Sequence, residues 1–135
     1  MNQPNSKNVD LNVICVDDCG NAPKKAHLKE FNIAFVQNDL NYLADNITDD
    51  FDWNIIGQHQ IQGKDKVLAV LKQNQNNQVT ELEISTIITH GYHGSVNGTL
   101  LMENKQKYAF CNVYTFASSR NNAKIKELSS YLIEA

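Results

Sequence analysis

The stretches LEISTIIT at 82–89, SVNGTLLM at 95–102, YAFCNVYTF at 108–116 and IKELSSYLI at 125–133 decide the fold. Apolar and polar residues alternate through each, the period of a strand with one buried face. Between them lie His90-Gly91-Tyr92-His93-Gly94, Glu103 to Gln106, and Ala117 to Asn122, all short and rich in turn formers. Long consecutive strands joined by short turns make an antiparallel meander. A twisted sheet of this length curls when helices cover one face, and a pocket forms in the space between.

The helices precede the meander. Pro23 suits the first turn of a helix, with Asn21 nearby as a cap. From there Leu28, Phe31, Ala34 and Phe35 recur at helical spacing, with His27 on a related face, and the helix should run to about Asn38. Asp39 reads as the cap of a shorter helix through Asp45 that turns Leu40, Leu43 and Ala44 inward. Phe51-Asp52-Trp53-Asn54-Ile55 alternates again and Gly57 ends that strand. Gly63 opens a third helix with Val67, Leu68 and Leu71 on one side, and KQNQNNQ at 72–78 reads as a helix end and solvated loop. Helices gathered before a meander make an α+β domain, with N-terminal helices packed on a strongly curved antiparallel sheet that curls into a half-barrel. Residues 1–21 are expected to form an N-terminal tail or arm, in which Leu11 to Val16 is a β-prone run lying as an edge strand or extended arm. The domain itself is expected over 22–135.

Composition narrows the function classes. Twelve basic residues against fifteen acidic give a net charge of −3, which leaves no electrostatic footprint for nucleic acid. Arg120 is the only arginine, so a bidentate clamp for phosphate or carboxylate has little material. No apolar run approaches the ~20 residues that span a bilayer, and Met1 to Asp10 is polar, so neither a membrane partner nor a signal segment is expected. The cytoplasm is the default location. The three cysteines fit it as free thiols, being odd in number with Cys15 and Cys19 close together and Cys111 remote. Eighteen asparagines and nine glutamines run through the whole chain, so a single Asn is weak grounds for chemistry.

Among titratable groups, His27, His59, His90 and His93 are the side chains that change charge near neutrality without help. His90 and His93 fall in a turn and should be exposed, while His27 packs against the helix face or looks into the pocket. Cys15, Asp17, Asp18 and Cys19 could be combined with His90 and His93 as metal ligands, but the C-x3-C and H-x2-H spacings only approach known patterns. No metal and no cofactor is expected. Cys19, near a helix start with Lys24 and Lys25 close by, is either a reactive thiol or an inert turn cysteine.

Taken in order, TDDFDWNIIG at 48–57, IQGKDKVLAVL at 61–71, NGTLLMENKQKYAFCNVYTF at 97–116 and KIKELSSYLIE at 124–134 resemble the nuclear transport factor 2-like superfamily, and within it the SnoaL-like group. The resemblance covers about residues 22–135 and implies the cone-shaped, cystatin-like roll. The family spans ketosteroid isomerases, polyketide cyclases, dehydratases, epoxide hydrolases and non-catalytic binding domains, so fold alone does not give activity. Carried over by position, the isomerase tyrosine falls on Phe31, the base on Ile55 and the late-strand acid on Asn112. Neither Phe31 nor Ile55 can move a proton, so the isomerase reaction is not supported. Asn112 could still orient a carbonyl or hydroxyl ligand, or be a satisfied core amide.

The resemblance also places His59 at the pocket mouth as a weak general base. Trp53 shares a strand face with Phe51 and Ile55, and Asn112 with Tyr114 and Phe116. Leu128, Ser130 and Leu132 face inward if the last strand follows the family register. The expected ligand-binding set is therefore Phe31, Trp53, Ile55, His59, Asn112, Tyr114, Leu128 and Leu132, around a small apolar or polycyclic molecule. The competing expectation is a filled core in a non-catalytic binding or dimerisation module. In either case Ala109, Cys111, Val113 and Thr115 on the outer sheet face would pair two copies as a homodimer.

Overall fold

In the computed structural model, which describes residues 10–16, 22–74 and 76–135, the alternating stretches are all strands. The chain runs β1 (Asn12–Cys15), α1 (Pro23–Val36), α2 (Leu40–Asn46), β2 (Ile47–Ile55), β3 (His59–Gln62), α3 (Lys64–Gln73), β4 (Val79–His90), β5 (His93–Met102), β6 (Lys107–Phe116) and β7 (Ile125–Glu134). Strands β4 to β7 form the expected antiparallel meander. It turns from β4 to β5 through Gly91-Tyr92, where Gly91 adopts φ 60° and supplies the left-handed conformation a two-residue hairpin loop needs.

The sheet as a whole is mixed rather than antiparallel, with strand order β1-β4-β5-β6-β7-β2-β3. Strand β2 joins β7 in parallel, and β1 joins β4 in parallel at the opposite edge. Parallel neighbours need a long crossover between them, and here the intervening elements supply it. The arm at Leu11 to Val16 is thus an edge strand. Strand β3, an unexpected element, pairs antiparallel with β2 and buries Ile61. Its sequence HQIQ carries a single apolar residue, too little alternation to register as a strand.

Helix boundaries follow local chemistry. Pro23 stands at the start of α1, where its missing N–H costs nothing. The Asp39 side chain accepts the Tyr42 N–H at 3.3 Å and caps α2. Gly63 precedes α3 with φ 101°, a conformation few other residues adopt.

Among the described residues the sheet breaks register at four places, and two of them carry telling residues. On β4 an extra residue lies between Ile84 and Thr86, and across from it is Gly98. A Cβ on Gly98 would overlap the Glu83 carbonyl, so β5 and β4 can approach only because that residue is glycine. The second break, between Ile47 and Asp52, carries the exposed Asp49 and Asp50. Such bulges increase twist and fold the sheet toward the helices.

The core fills the concave side with Leu28, Phe31, Phe51, Leu82, Ile84, Tyr114, Phe116, Ile125 and Leu128, each 2% exposed or less. At one end α1 is tied to the loops beyond it. Lys24 Nζ donates to the Gly91 and Ser119 carbonyls at 2.9 and 3.0 Å and lies 5.1 Å from the Phe116 ring centroid. His27 stacks on the same ring and its Nε2 meets the Ala123 carbonyl at 2.8 Å, so the histidine is a packing and tethering residue.

Cys15 is disulfide-bonded, which corrects the expectation of a free thiol there; Cys111 is free. Asp17, Asp18, Cys19 and Asn21, and most of the expected tail, lie outside the described residues. Among the described residues no three His, Cys, Asp or Glu side chains gather as a metal site, and no helix is long and apolar enough to cross a membrane.

Candidate functional site

A cavity of about 250 Å³ opens between α1 and the concave sheet. Its inner wall comes from alternate positions on three strands: Trp53 and Ile55 on β2, Phe110 and Asn112 on β6, Ser130 and Leu132 on β7. Phe35 and Val36 on α1, Leu100 on β5, Val79 on β4 and Ile56 after β2 add to the apolar surface. Around the opening stand the carboxamides of Asn38, Gln58, Asn74, Asn77 and Gln78. A larger depression of about 700 Å³ lies outside, between the β1 edge and the α1–α2 turn. It is lined mainly by polar side chains at the surface, whereas the smaller cavity reaches the sheet interior, where a ligand would lose its water. The smaller one is the candidate site.

Of the residues expected from sequence, Trp53, Ile55, Asn112 and Leu132 line this cavity together. Phe31, Tyr114 and Leu128 face the same interior but are fully buried in the core beyond it. The reason is position along the strand: Phe110 and Asn112 reach the open part of the cone, while Tyr114 and Phe116 on the same face fall where the core has closed. His59 lies exposed on β3 opposite Ile55, and its neighbour Gln58 faces the cavity in its place. His90 and His93 are exposed at the ends of the β4–β5 hairpin, as expected for a turn.

Two polar contacts organise the inner wall. Trp53, 8% exposed, donates its Nε1–H to Ser130 Oγ at 3.1 Å and meets Phe35 edge-on with ring centroids 5.1 Å apart. Asn112 donates to Asn32 Oδ1 at 3.1 Å, and Asn32 Nδ2 donates in turn to the Leu28 carbonyl at 2.9 Å. The direction of this relay is forced. A carbonyl can only accept, so Asn32 must turn its nitrogen to Leu28 and its oxygen to Asn112.

Tyr114 completes the polar cluster. Its ring meets Phe31 edge-on at 5.8 Å, and its hydroxyl is buried against the Asn112 and Asn32 carboxamides. The amides lie close enough to influence its ionisation, yet the hydroxyl meets neither in hydrogen-bond geometry. Burial drives the phenol far above its usual range, and the two amides offset only part of that. Tyr114 is therefore a neutral phenol at physiological pH.

Asn32, at 1% exposure the buried polar residue of α1, was not singled out by sequence. It lies four residues after Leu28 and three before Phe35 on the inward stripe, a signal masked by the abundance of asparagine. Phe35, Leu100 and Phe110 likewise follow from the periodicities already visible, since Phe110 is two residues before Asn112.

No family model matches the sequence, and no curated protein sequence matches it. Solved structures do share the fold. An NTF-2 like protein of unknown function from Burkholderia xenovorans LB400 superposes with TM-score 0.69 at 16% identity, over 84% of each chain. A protein from Shewanella denitrificans OS-217 assigned as a SnoaL-like polyketide cyclase gives TM-score 0.69 at 10% identity, over 81% of this chain and 89% of that one. An LEH-like epoxide hydrolase from M. tuberculosis gives 0.62 at 17% identity, over 82% of each. The chain has the α+β fold of the NTF2-like proteins, the one that these SnoaL-like and epoxide hydrolase structures share.

Proposed function

We propose that this is a SnoaL-like small-molecule-binding protein that holds an apolar ligand in the cavity between α1 and the sheet. The observation that carries the reading is the combination of Phe35, Trp53 and Phe110 with only a few inward polar groups, the usual character of a ligand pocket. Its volume suits one or two rings better than the polycyclic ligand also considered from sequence. Lyase, isomerase or cyclase chemistry on that ligand is the enzymatic form of the proposal. Ketosteroid isomerisation is not expected, because Phe31 is core and Ile55 supplies only alkyl surface.

A second reading, a non-catalytic binding or dimerisation module, is favoured by two observations. Among the described lining residues none is a carboxylic acid, an amine or a histidine, the groups that most often move a proton, and Tyr131 brings a phenol alone. The outer face of β6 and β7 also exposes Val113, Tyr131 and Ile133 at 40%, 44% and 69%. Those residues belong to the face on which Ala109, Cys111 and Thr115 lie, and a homodimer would cover them. The cytoplasm is proposed as the location from sequence alone. The bond at Cys15 weighs against a reducing compartment, and thiol labelling in rapidly quenched lysate decides between the two.

Trp53 tests the binding reading directly, being the only tryptophan. Its emission should be blue-shifted in the free protein and change saturably as a small apolar ligand such as tetralin is added. Trp53→Ala, followed by calorimetry, should weaken that binding by about 1–2 kcal/mol through lost area and one aromatic contact. Emission typical of water-exposed indole would remove β2 from the cavity wall. Buried emission with no response to any apolar ligand would favour the module.

A further inference from the structure

Two hydrogen-bond donors in the cavity wall are aimed from behind, and they define what the ligand must bring. We infer that Ser130, with Asn112 beside it, seats the acceptor oxygen of an uncharged carbonyl compound of one or two rings. The inference rests on the ligand-binding reading of the same cavity and adds the ligand's chemical class.

An indole nitrogen can only donate, so in the 3.1 Å contact between Trp53 and Ser130 the serine oxygen accepts. Its own proton must then go elsewhere, and Ser130 has no second side-chain partner among the described residues. The residue lines the cavity, so that proton is available to a ligand. Asn112 is the direct register partner of Ser130 across β6 and β7, which brings the two side chains to about 5 Å on one face. One N–H of Asn112 is committed to Asn32, and a carboxamide carries a second. A carbonyl oxygen has two lone pairs and can receive both donors. A hydrocarbon in the same place would leave them unmet.

The rest of the wall limits what else the ligand carries. The described lining side chains bear no carboxylate, ammonium, guanidinium or imidazole, so an ionised ligand would lose its hydration without a partner. The volume of about 250 Å³ lies just under the ~300 Å³ at which pockets for drug-sized molecules begin, hence the small ring count.

The test compares 1-tetralone with tetralin, which differ by the carbonyl oxygen, in calorimetric titrations of the full chain. The wild type should bind the ketone about tenfold more tightly, the worth of one to two net hydrogen bonds. Ser130→Ala and Asn112→Leu should each remove most of that preference, read as the ratio of tetralone to tetralin affinity within each variant. Ser130→Thr, which keeps the hydroxyl, should retain it. The carbonyl stretch of bound tetralone should lie at lower frequency in the wild type than in Ser130→Ala. If Ser130→Ala does not fold, Asn112→Leu and the wild-type band position against tetralone in hydrocarbon solvent carry the decision. Equal affinity for the two compounds, or a carbonyl band indifferent to both variants, would overturn the seat while leaving the cavity a binding site. Failure of both compounds to bind at millimolar concentration would overturn the binding reading and the seat with it.

Discussion

Tyr114→Phe should make the protein more stable. The phenol hydroxyl is fully buried and lacks a hydrogen bond, although two carboxamides lie beside it. Leaving such a group buried and unmet costs about 1–3 kcal/mol. Removing it keeps the edge-on contact with Phe31 and leaves a void of roughly 10 Å³, worth about 0.2–0.3 kcal/mol at ~24 cal/mol per Å³. The expected net gain is about 1 kcal/mol, or roughly 3–5 °C in Tm for a chain of this size. The same group gives a pH signature whose sign follows from its raised pKa. As pH rises past the ordinary phenol value the unfolded chain releases its proton first while the buried phenol keeps it. Stability that is intact below about pH 10 is therefore lost above it, by up to about 1.4 kcal/mol per pH unit. Tyr42 is raised as well, by partial burial and then by Glu30 and Asp39, so the variant should keep a shallower alkaline loss. Urea melts at pH 7 and across the alkaline limb measure both effects. Destabilisation by 1 kcal/mol or more at pH 7 would show that the hydroxyl is bonded to Asn32 or Asn112 in solution, and would refute the reasoning.

Lys24→Met keeps the aliphatic stem but removes two carbonyl contacts and the cation over Phe116. Because these lie near the surface the expected loss is only about 1–2 kcal/mol in urea melts, and an unchanged midpoint would mean the tether is ornamental. Val113→Lys should dissociate the proposed dimer by placing an unpaired charge in its interface; light scattering that gives a monomer mass for the wild type over a wide concentration range would remove the dimer itself. Gly98→Ala should destabilise by about 3 kcal/mol, since its Cβ meets backbone, whereas Gly94→Ala meets chiefly the movable Leu28 side chain and should cost less. Equal thermal shifts for the two glycine variants would show that the β4 bulge relaxes freely.

How far the sequence reveals this molecule depends on the range of the interaction. Strand alternation, the Asp39 cap and the Gly63 turn are set within a few residues, and each is where the sequence puts it. Strand β3 fails that standard because one buried isoleucine among glutamines carries almost no pattern. The parallel seams of β2 with β7 and β1 with β4 were invisible for another reason: nothing local distinguishes an edge that will receive a distant strand. The same limit governs the site. Trp53 and Asn112 could be assigned to an inward face, but their partners Ser130 and Asn32 are 77 and 80 residues away in sequence. Alternation tells which way a side chain points and not how far along the cone it sits. That is why Phe31, Tyr114 and Leu128 were expected at the cavity and lie in the core.

The placement of those long-range partners bears on where selectivity resides. A carboxamide at the rim, such as Asn74 or Gln58, is exposed and can turn either its oxygen or its nitrogen to whatever passes. It therefore discriminates little. Ser130 and Asn112 differ because each is committed behind the wall, one to a group that only donates and the other to a relay that ends on a helix carbonyl. Reversing either would leave a buried polar atom without a partner, at a cost larger than the usual worth of a hydrogen bond to a ligand. The inner wall thus has a fixed polarity although it carries no charge. Among its described lining residues there is no carboxylate, amine or imidazole to change charge between pH 5 and 8. Affinity for a neutral ligand should be flat over that range, and calorimetric titrations at its two ends measure this.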